Sequence, residues 1–196
     1  VDVTSWPGCI RDQILLLTLA DADHGQRFCY RSIETEVLAH AMERVTAQSL
    51  PEIISDRLWK PLGCEEDANI TVDATGYGLA CGGISATLRD LARFALALVN
   101  DGNVGGRNVI PRAWIADIRH GNHGLFDDES RQNFPNGRYR NQFWIEDISG
   151  ERHLCLGVFG QLIFVSPASN FIAVKLSSWP SFSDTKCLNS TLAALH

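Results

Sequence analysis

The chain has 196 residues, 45% of them hydrophobic and 20% charged, which is enough for one sizeable core and short for two full-sized domains. Its formal charge of -6, without any cluster of Lys and Arg, argues against nucleic acid as a partner. Its longest apolar run, Ile14–Leu17 with Leu19 and Ala20 after it, is too short to cross a bilayer.

Cys9, Cys29, Cys64, Cys81, Cys155 and Cys187 include no C-x-x-C pair, and the histidines lack zinc spacing. The expectation is free thiols in a cytoplasmic protein with no metal and no cofactor. Two glycosylation sequons, Asn69-Ile70-Thr71 and Asn189-Ser190-Thr191, matter only in a secreted chain. The first residue is Val1 and the sole methionine is Met42, so the chain is expected to begin inside a longer protein.

In chain order, Trp6-Pro7-Gly8 leads into a short apolar stretch and a loop at Asp21–Gly25. From Ser32 the spacing predicts a helix with Ile33, Val37, Leu38, Ala41 and Val45 on its apolar face and Glu34 and Glu36 near its positive end. Ser49-Leu50-Pro51-Glu52 reads as a capping box opening a second helix that Pro61 and Gly63 stop. Ile70–Val72 is strand-like and Gly76–Gly83 is glycine-rich. Thr87 opens a third helix, with Asp90 three residues on and Leu88, Leu91, Ala92, Ala95, Leu98 and Val99 inward. Gly102–Gly106 is a turn, and Pro111 opens a short helix with Trp114, Ile115 and Ile118. Residues 119–138 read as a long polar surface loop, with His120 and His123 candidates to approach a cleft.

Then the texture changes. Gln142–Ile148, Leu154–Val158, Leu162–Val165 and Phe171–Ser177 are strand candidates, joined at Ser149-Gly150 and Pro167–Asn170, and a last helix follows Asp184. Helices first, antiparallel strands next and one closing helix make the fold class α+β. Residues 1–138 form the mostly helical region and 139–196 the strands with their helix, together parts of one domain. An unpaired apolar edge is expected on the strand group, which is an aggregation hazard.

Five blocks in this order carry a resemblance. Tyr30-Arg31-Ser32 before an amphipathic helix resembles the Tyr-x-Asn/Ser motif of the serine β-lactamase and penicillin-binding-protein family. Trp59-Lys60-Pro61-Leu62-Gly63, the block Gly82–Phe94, Val109-Ile110-Pro111 and Gly157-Val158-Phe159-Gly160-Gln161 are similar to its later blocks. Tyr139–Trp144 and Lys175–Pro180 resemble the 6-aminohexanoate-dimer hydrolase branch.

The resemblance implies a β-lactamase-like fold and acyl transfer by a serine, with a small-molecule amide or ester as substrate. It also implies roles. Tyr30 would move the proton and the Val158 N–H would donate to the oxyanion, while Ser32, Cys81, Gly157 and Phe159 would line the substrate site. Each has a plainer reading: Tyr30 as a packed phenol, Ser32 as a helix cap, Cys81 as a structural thiol and Gly157 as a strand turn. Cys155-Leu156-Gly157 stands where the family has Lys-Thr-Gly, which favours an esterase or amidase over β-lactam recognition. Ala47 replaces a glycine usual at the end of the first helix.

The family's S-x-x-K precedes the tyrosine motif. The one such match here, Ser183-Asp184-Thr185-Lys186, follows every other block and is rejected, and no G-x-S-x-G is present. The nucleophile is therefore expected outside this chain, which alone would be inactive. The alternatives are a non-catalytic binding or regulatory relative and a truncated inactive one.

Overall fold

The computed structural model describes residues 8–20, 22–23, 26, 28–121, 126, 128–147 and 152–196; of residues 128–130 it describes the backbone. The Ser149-Gly150 connection, His123 and the start of the Trp6-Pro7-Gly8 segment lie outside these. The chain forms two compact units, Val1–Asp23 with Tyr30–Thr87, and His24–Cys29 with Leu88–His196.

The first unit contains α1 (Ile10–Leu15), α2 (Ser32–Thr46), α3 (Leu50–Ile54) continuing through a π turn (Ser55–Trp59) into α4 (Lys60–Leu62), and the short strands β1 (Asn69–Ile70) and β2 (Ile84–Ser85), which pair antiparallel. The capping box forms as its sequence predicts: the Ser49 N–H donates to Glu52 Oε2 at 2.8 Å. Pro61 has no N–H and its ring crowds the preceding turn, and the widened π turn directly before it makes room. Gly63 ends the helix at φ 71°. Asp73 organises the following loop. Its Oδ1 accepts the N–H groups of Thr75 and Tyr77, and its Oδ2 accepts that of Ile10 at 2.8 Å, tying the start of α1 to residues 63 positions on.

The expected inward face of α2 is corrected. Leu38, Ala41 and Val45 are exposed, while Glu36 and Ala39 are buried. The helix turns a carboxylate inward because backbone amides of a later loop are there to receive it. Leu88 is likewise exposed rather than inward.

The second unit is built on five antiparallel strands in chain order: β5 (Arg138–Arg140), β6 (Phe143–Ile145), β7 (His153–Leu156), β8 (Leu162–Ser166) and β9 (Phe171–Lys175). Strand side chains alternate between faces, and both faces are covered. Phe143, Ile145, Ile163, Val165, Ile172 and Val174 pack against α5 (Leu88–Val99) and α6 (Arg112–His120). Leu154, Leu156, Leu162, Phe164 and Ala173 face the other way, onto Phe28, Phe126, Phe134 and α8 (Thr185–Ala193). Each fully buried Leu or Phe of this kind contributes about 1.5–3 kcal/mol. Between α5 and α6, β3 (Asn103–Val104) and β4 (Arg107–Asn108) form a hairpin.

Residues 119–138 are not a purely polar loop. They include the helix α7 (Asp128–Asn133), and Phe126 and Phe134 on either side of it are core residues. β5 is a further strand that the short run Arg138-Tyr139-Arg140 does not announce. Its Arg140 grips Asp117 of α6 at 2.7 and 2.8 Å. The change from helices to strands falls near residue 138, whereas the compact units divide at Thr87 and Leu88. The mixture of helices with antiparallel sheets is α+β.

Two measurements follow from this packing. Ala47 caps α2 at φ 55°, ψ 27°, a left-handed conformation costing an L side chain about 1 kcal/mol or more. Ala47→Gly is expected to raise the melting temperature by about 2–4 °C in calorimetry, and an unchanged or lower value would contradict the strain. His153 on β7 is fully buried, and neither ring nitrogen has a partner among the described residues. Burial, and then the charge of Arg119, pull its pKa down to about 4. The unfolded chain binds a proton near pH 6.5 that the folded chain refuses, so stability is held above that pH and falls as pH drops from 6.5 toward 4, by about 3 kcal/mol in all. Urea titrations at stepped pH should show this slope, reduced in His153→Phe.

Candidate active site

In the first unit, the start of α2 and the glycine loop bring three of the expected residues together. Tyr30 precedes the helix and is half exposed; Ser32 opens it. Cys81, in the loop Leu79–Gly83, donates its backbone N–H to Glu36 at 2.8 Å, and its thiol lies beside both Ser32 and Glu36. Burial, the hydrogen bond to Glu36 and the Glu36 charge push that thiol up to about 12, with Ser32 opposing. The thiol stays protonated at neutral pH and is no nucleophile. Burial, and then neighbouring Cys81, raise the Tyr30 phenol above its ordinary value. That direction is opposite to the one a proton shuttle needs, and a nearby ammonium would reverse it.

Sequence reasoning placed Glu36 at the helix end for its dipole and missed its main partners. Its carboxylate accepts the N–H of Ala80 at 3.1 Å and of Cys81 at 2.8 Å. The available signal was its position four residues after Ser32, on the same helix face. The loop it holds is tight: a Cβ on Gly83 would lie 2.5 Å from the Leu79 carbonyl oxygen.

In the second unit, Gly157-Val158-Phe159-Gly160-Gln161 joins β7 to β8. The Gly157 N–H donates to the Gln161 carbonyl at 2.9 Å and the Phe159 N–H to the Phe182 carbonyl at 3.0 Å. Between them the Val158 N–H has no acceptor among the described residues. Val158 and Phe159 side chains are both partly exposed. Phe159 sits at φ 56°, ψ 25°, a region bulky residues avoid.

The segment after β9 holds this strained turn. Besides the Phe182 contact, the Trp179 N–H donates to the Phe159 carbonyl at 3.0 Å. Gln161 exchanges two hydrogen bonds with the Ser177 backbone, at 2.5 and 3.0 Å. Lys175 Nζ donates to the Gly160 carbonyl at 3.0 Å while lying 4.5 Å from the centre of the Trp179 ring. Gln161, Lys175 and Trp179 lie in blocks that the sequence marks by resemblance, but it gives them no role, because each acts on groups about 15–20 residues away along the chain. A cavity of about 90 Å³ opens beside Gly157, Gly160, Lys175, Trp179 and Phe182.

Other candidates fall elsewhere. Ser183 precedes the cap of α8 while Lys186 lies within it, so this S-x-x-K does not share a helix face. Cys155 packs into the core beneath α5 and α6, and burial pushes its thiol to about 12. His120 ends α6. All six cysteines are free, and no group of three or more potential metal ligands exists among the described residues.

Gly160 tests the brace. It adopts φ +85°, and a Cβ there would stand 2.4 Å from the Trp179 ring. Gly160→Ala is expected to cost about 2 kcal/mol or more in denaturant unfolding, and a cost under about 0.5 kcal/mol would show that the turn yields freely.

The family model for β-lactamases matches residues 10–196. The 6-aminohexanoate-dimer hydrolase of Paenarthrobacter ureafaciens is 37% identical over 172 residues, covering 86% of this chain and 44% of that protein. The chain thus spans less than half the length of this curated relative. A solved Bacillus anthracis structure assigned as a 6-aminohexanoate-dimer hydrolase superposes with a TM-score of 0.82 at 27% identity, over 100% of this chain and 49% of that one. A Bacteroides dorei structure assigned as a β-lactamase, 15% identical, shares the fold with a TM-score of 0.70 over 96% of this chain and 64% of that one. With a family model matched over nearly its whole length, the chain belongs to the β-lactamase family.

Proposed function

We propose that this chain is part of a serine hydrolase that cleaves amide or ester bonds of small molecules through an acyl-serine intermediate. Within a chain of this family, the observation that carries the reading is the Val158 N–H, left without an acceptor between two bonded neighbours in a braced turn. The serine and lysine of S-x-x-K would come from outside these 196 residues.

In the proposed reaction the serine hydroxyl attacks the substrate carbonyl carbon as its proton passes to the lysine–Tyr30 pair. The carbonyl π electrons move onto oxygen, and the Val158 N–H donates to that oxyanion. A donor of this kind accounts for about 2.7–4 kcal/mol of transition-state stabilisation. The tetrahedral species collapses, the C–N or C–O bond breaks, and Tyr30 returns the proton to the leaving amine or alcohol. Water then hydrolyses the acyl-serine by the same steps. The lysine ammonium would also reverse the upward pull on the Tyr30 phenol. Ser32, Cys81, Gly157 and Phe159 would contact substrate. Short linear amides, the class for which the Paenarthrobacter relative is named, are the first substrates to test.

The raised Tyr30 phenol also fits a non-catalytic relative that keeps the fold and binds without chemistry. One experiment separates the two. The protein is expressed with its native upstream coding sequence, labelled with a fluorophosphonate and assayed on a linear amide and an aryl ester. The hydrolase reading expects labelling at a serine outside these 196 residues and a loss of at least 100-fold in kcat in Tyr30→Phe. Labelling at a serine within this chain, or full activity in Tyr30→Phe, overturns it; a protein that neither labels nor turns over is the binding module.

A further inference from the structure

Glu36 is a fully buried carboxylate one helical turn beyond Ser32. Burying such a group is unfavourable unless its oxygens accept hydrogen bonds, and here each oxygen accepts a different backbone N–H of one loop. The Cys81 thiol lies beside it. The Tyr77 hydroxyl donates to the Glu36 backbone carbonyl at 3.2 Å, fixing the same turn of α2. On its other side the loop is held by its own backbone: Leu79 N–H to the Thr71 carbonyl, Thr71 N–H to the Gly83 carbonyl and Gly83 N–H to the Leu79 carbonyl.

We propose that Glu36 is a positioning residue of the Tyr30 site: its carboxylate pins the amides of Ala80 and Cys81 and so sets the glycine loop and the Cys81 thiol against Ser32. The proposal rests on reading Tyr30 and Ser32 as site residues. The side chain offers two acceptor oxygens to two N–H donors. A glutamine of the same shape offers one oxygen and turns an N–H₂ against the second amide. Glu36→Gln therefore removes one anchor and the charge without removing volume.

The test is iodoacetamide alkylation of Cys81 in the full chain, resolved by peptide mass spectrometry from pH 7 to 10.5. Relative to wild type, Glu36→Gln is expected to react at least tenfold faster at pH 8.5, with the rise against pH beginning at least one unit lower. The exposed Cys29 and Cys187 should stay within twofold, as internal references. An unchanged Cys81 rate overturns the proposal. So does a faster rate with the same pH profile, which would mean that the residue only fills space. Hydrogen exchange of the wild-type chain gives a second check that needs no variant. Ala80 and Cys81 amides should be at least 100-fold slower than in the unfolded chain, and random-coil rates there overturn the pin. Failure of the hydrolase reading appears instead as full activity in Tyr30→Phe, which the thiol measurement does not touch.

Discussion

The second unit depends on a sheet buried on both faces. β7 and β8 present Leu154, Leu156, Leu162 and Phe164 to one layer and Ile163 and Val165 to the other. Sliding either strand by one residue would exchange the two sets and expose neither to water, yet it would force Phe volumes into the space shaped for Ile and Val. Register is therefore fixed by shape as well as by polarity. The turn at Gly157–Gln161 inherits that fixity, since it is the connection between these two strands.

Fixity is what an open amide requires. A backbone N–H in a compact protein normally finds an acceptor, and a loose turn would relax until it did. Here the neighbours of Val158 are bonded, Phe159 is held in an unfavourable conformation, and the segment 175–182 supplies the compensating contacts. Strain of about 1–3 kcal/mol persists only where surrounding structure over-determines it. In the first unit a single buried carboxylate plays the corresponding part for the glycine loop. Both devices use side chains to organise backbone, so the groups presented are amides and a thiol rather than mobile charged tips. β9 has a different consequence. It pairs with β8 on one side, and among the described residues no strand covers its other edge, which carries Phe171, Ile172 and Val174.

Local signals were reliable where the physics is local. The Ser49–Glu52 box, the Gly63 stop and the last helix after Asp184 all involve groups within a few residues, and each formed where the sequence placed it. Periodicity failed on α2, because Leu38 and Val45 obey helical spacing as well as Glu36 and Ala39 do. The choice of face was made by amides 44 and 45 residues away. Between residues 119 and 138, Phe126 (beside Leu125) and Phe134 stand in otherwise polar surroundings, and so few apolar residues carry no period from which burial can be read.

The sequence by itself determined the capping box of α3 and the Gly63 stop, four of the five strands of the main sheet, the α+β class and the ordered blocks that mark the family, since each is written in short-range spacing or residue type. It also nominated Tyr30, Ser32, Cys81 and Val158. Only the tertiary structure decided that Cys81 meets Ser32 through Glu36, that the Val158 amide stays open and that Lys175 and Gln161 brace its turn. Those outcomes depend on which distant backbone groups reach a side chain first, a competition settled by packing and by the cost of leaving a buried polar group unpaired.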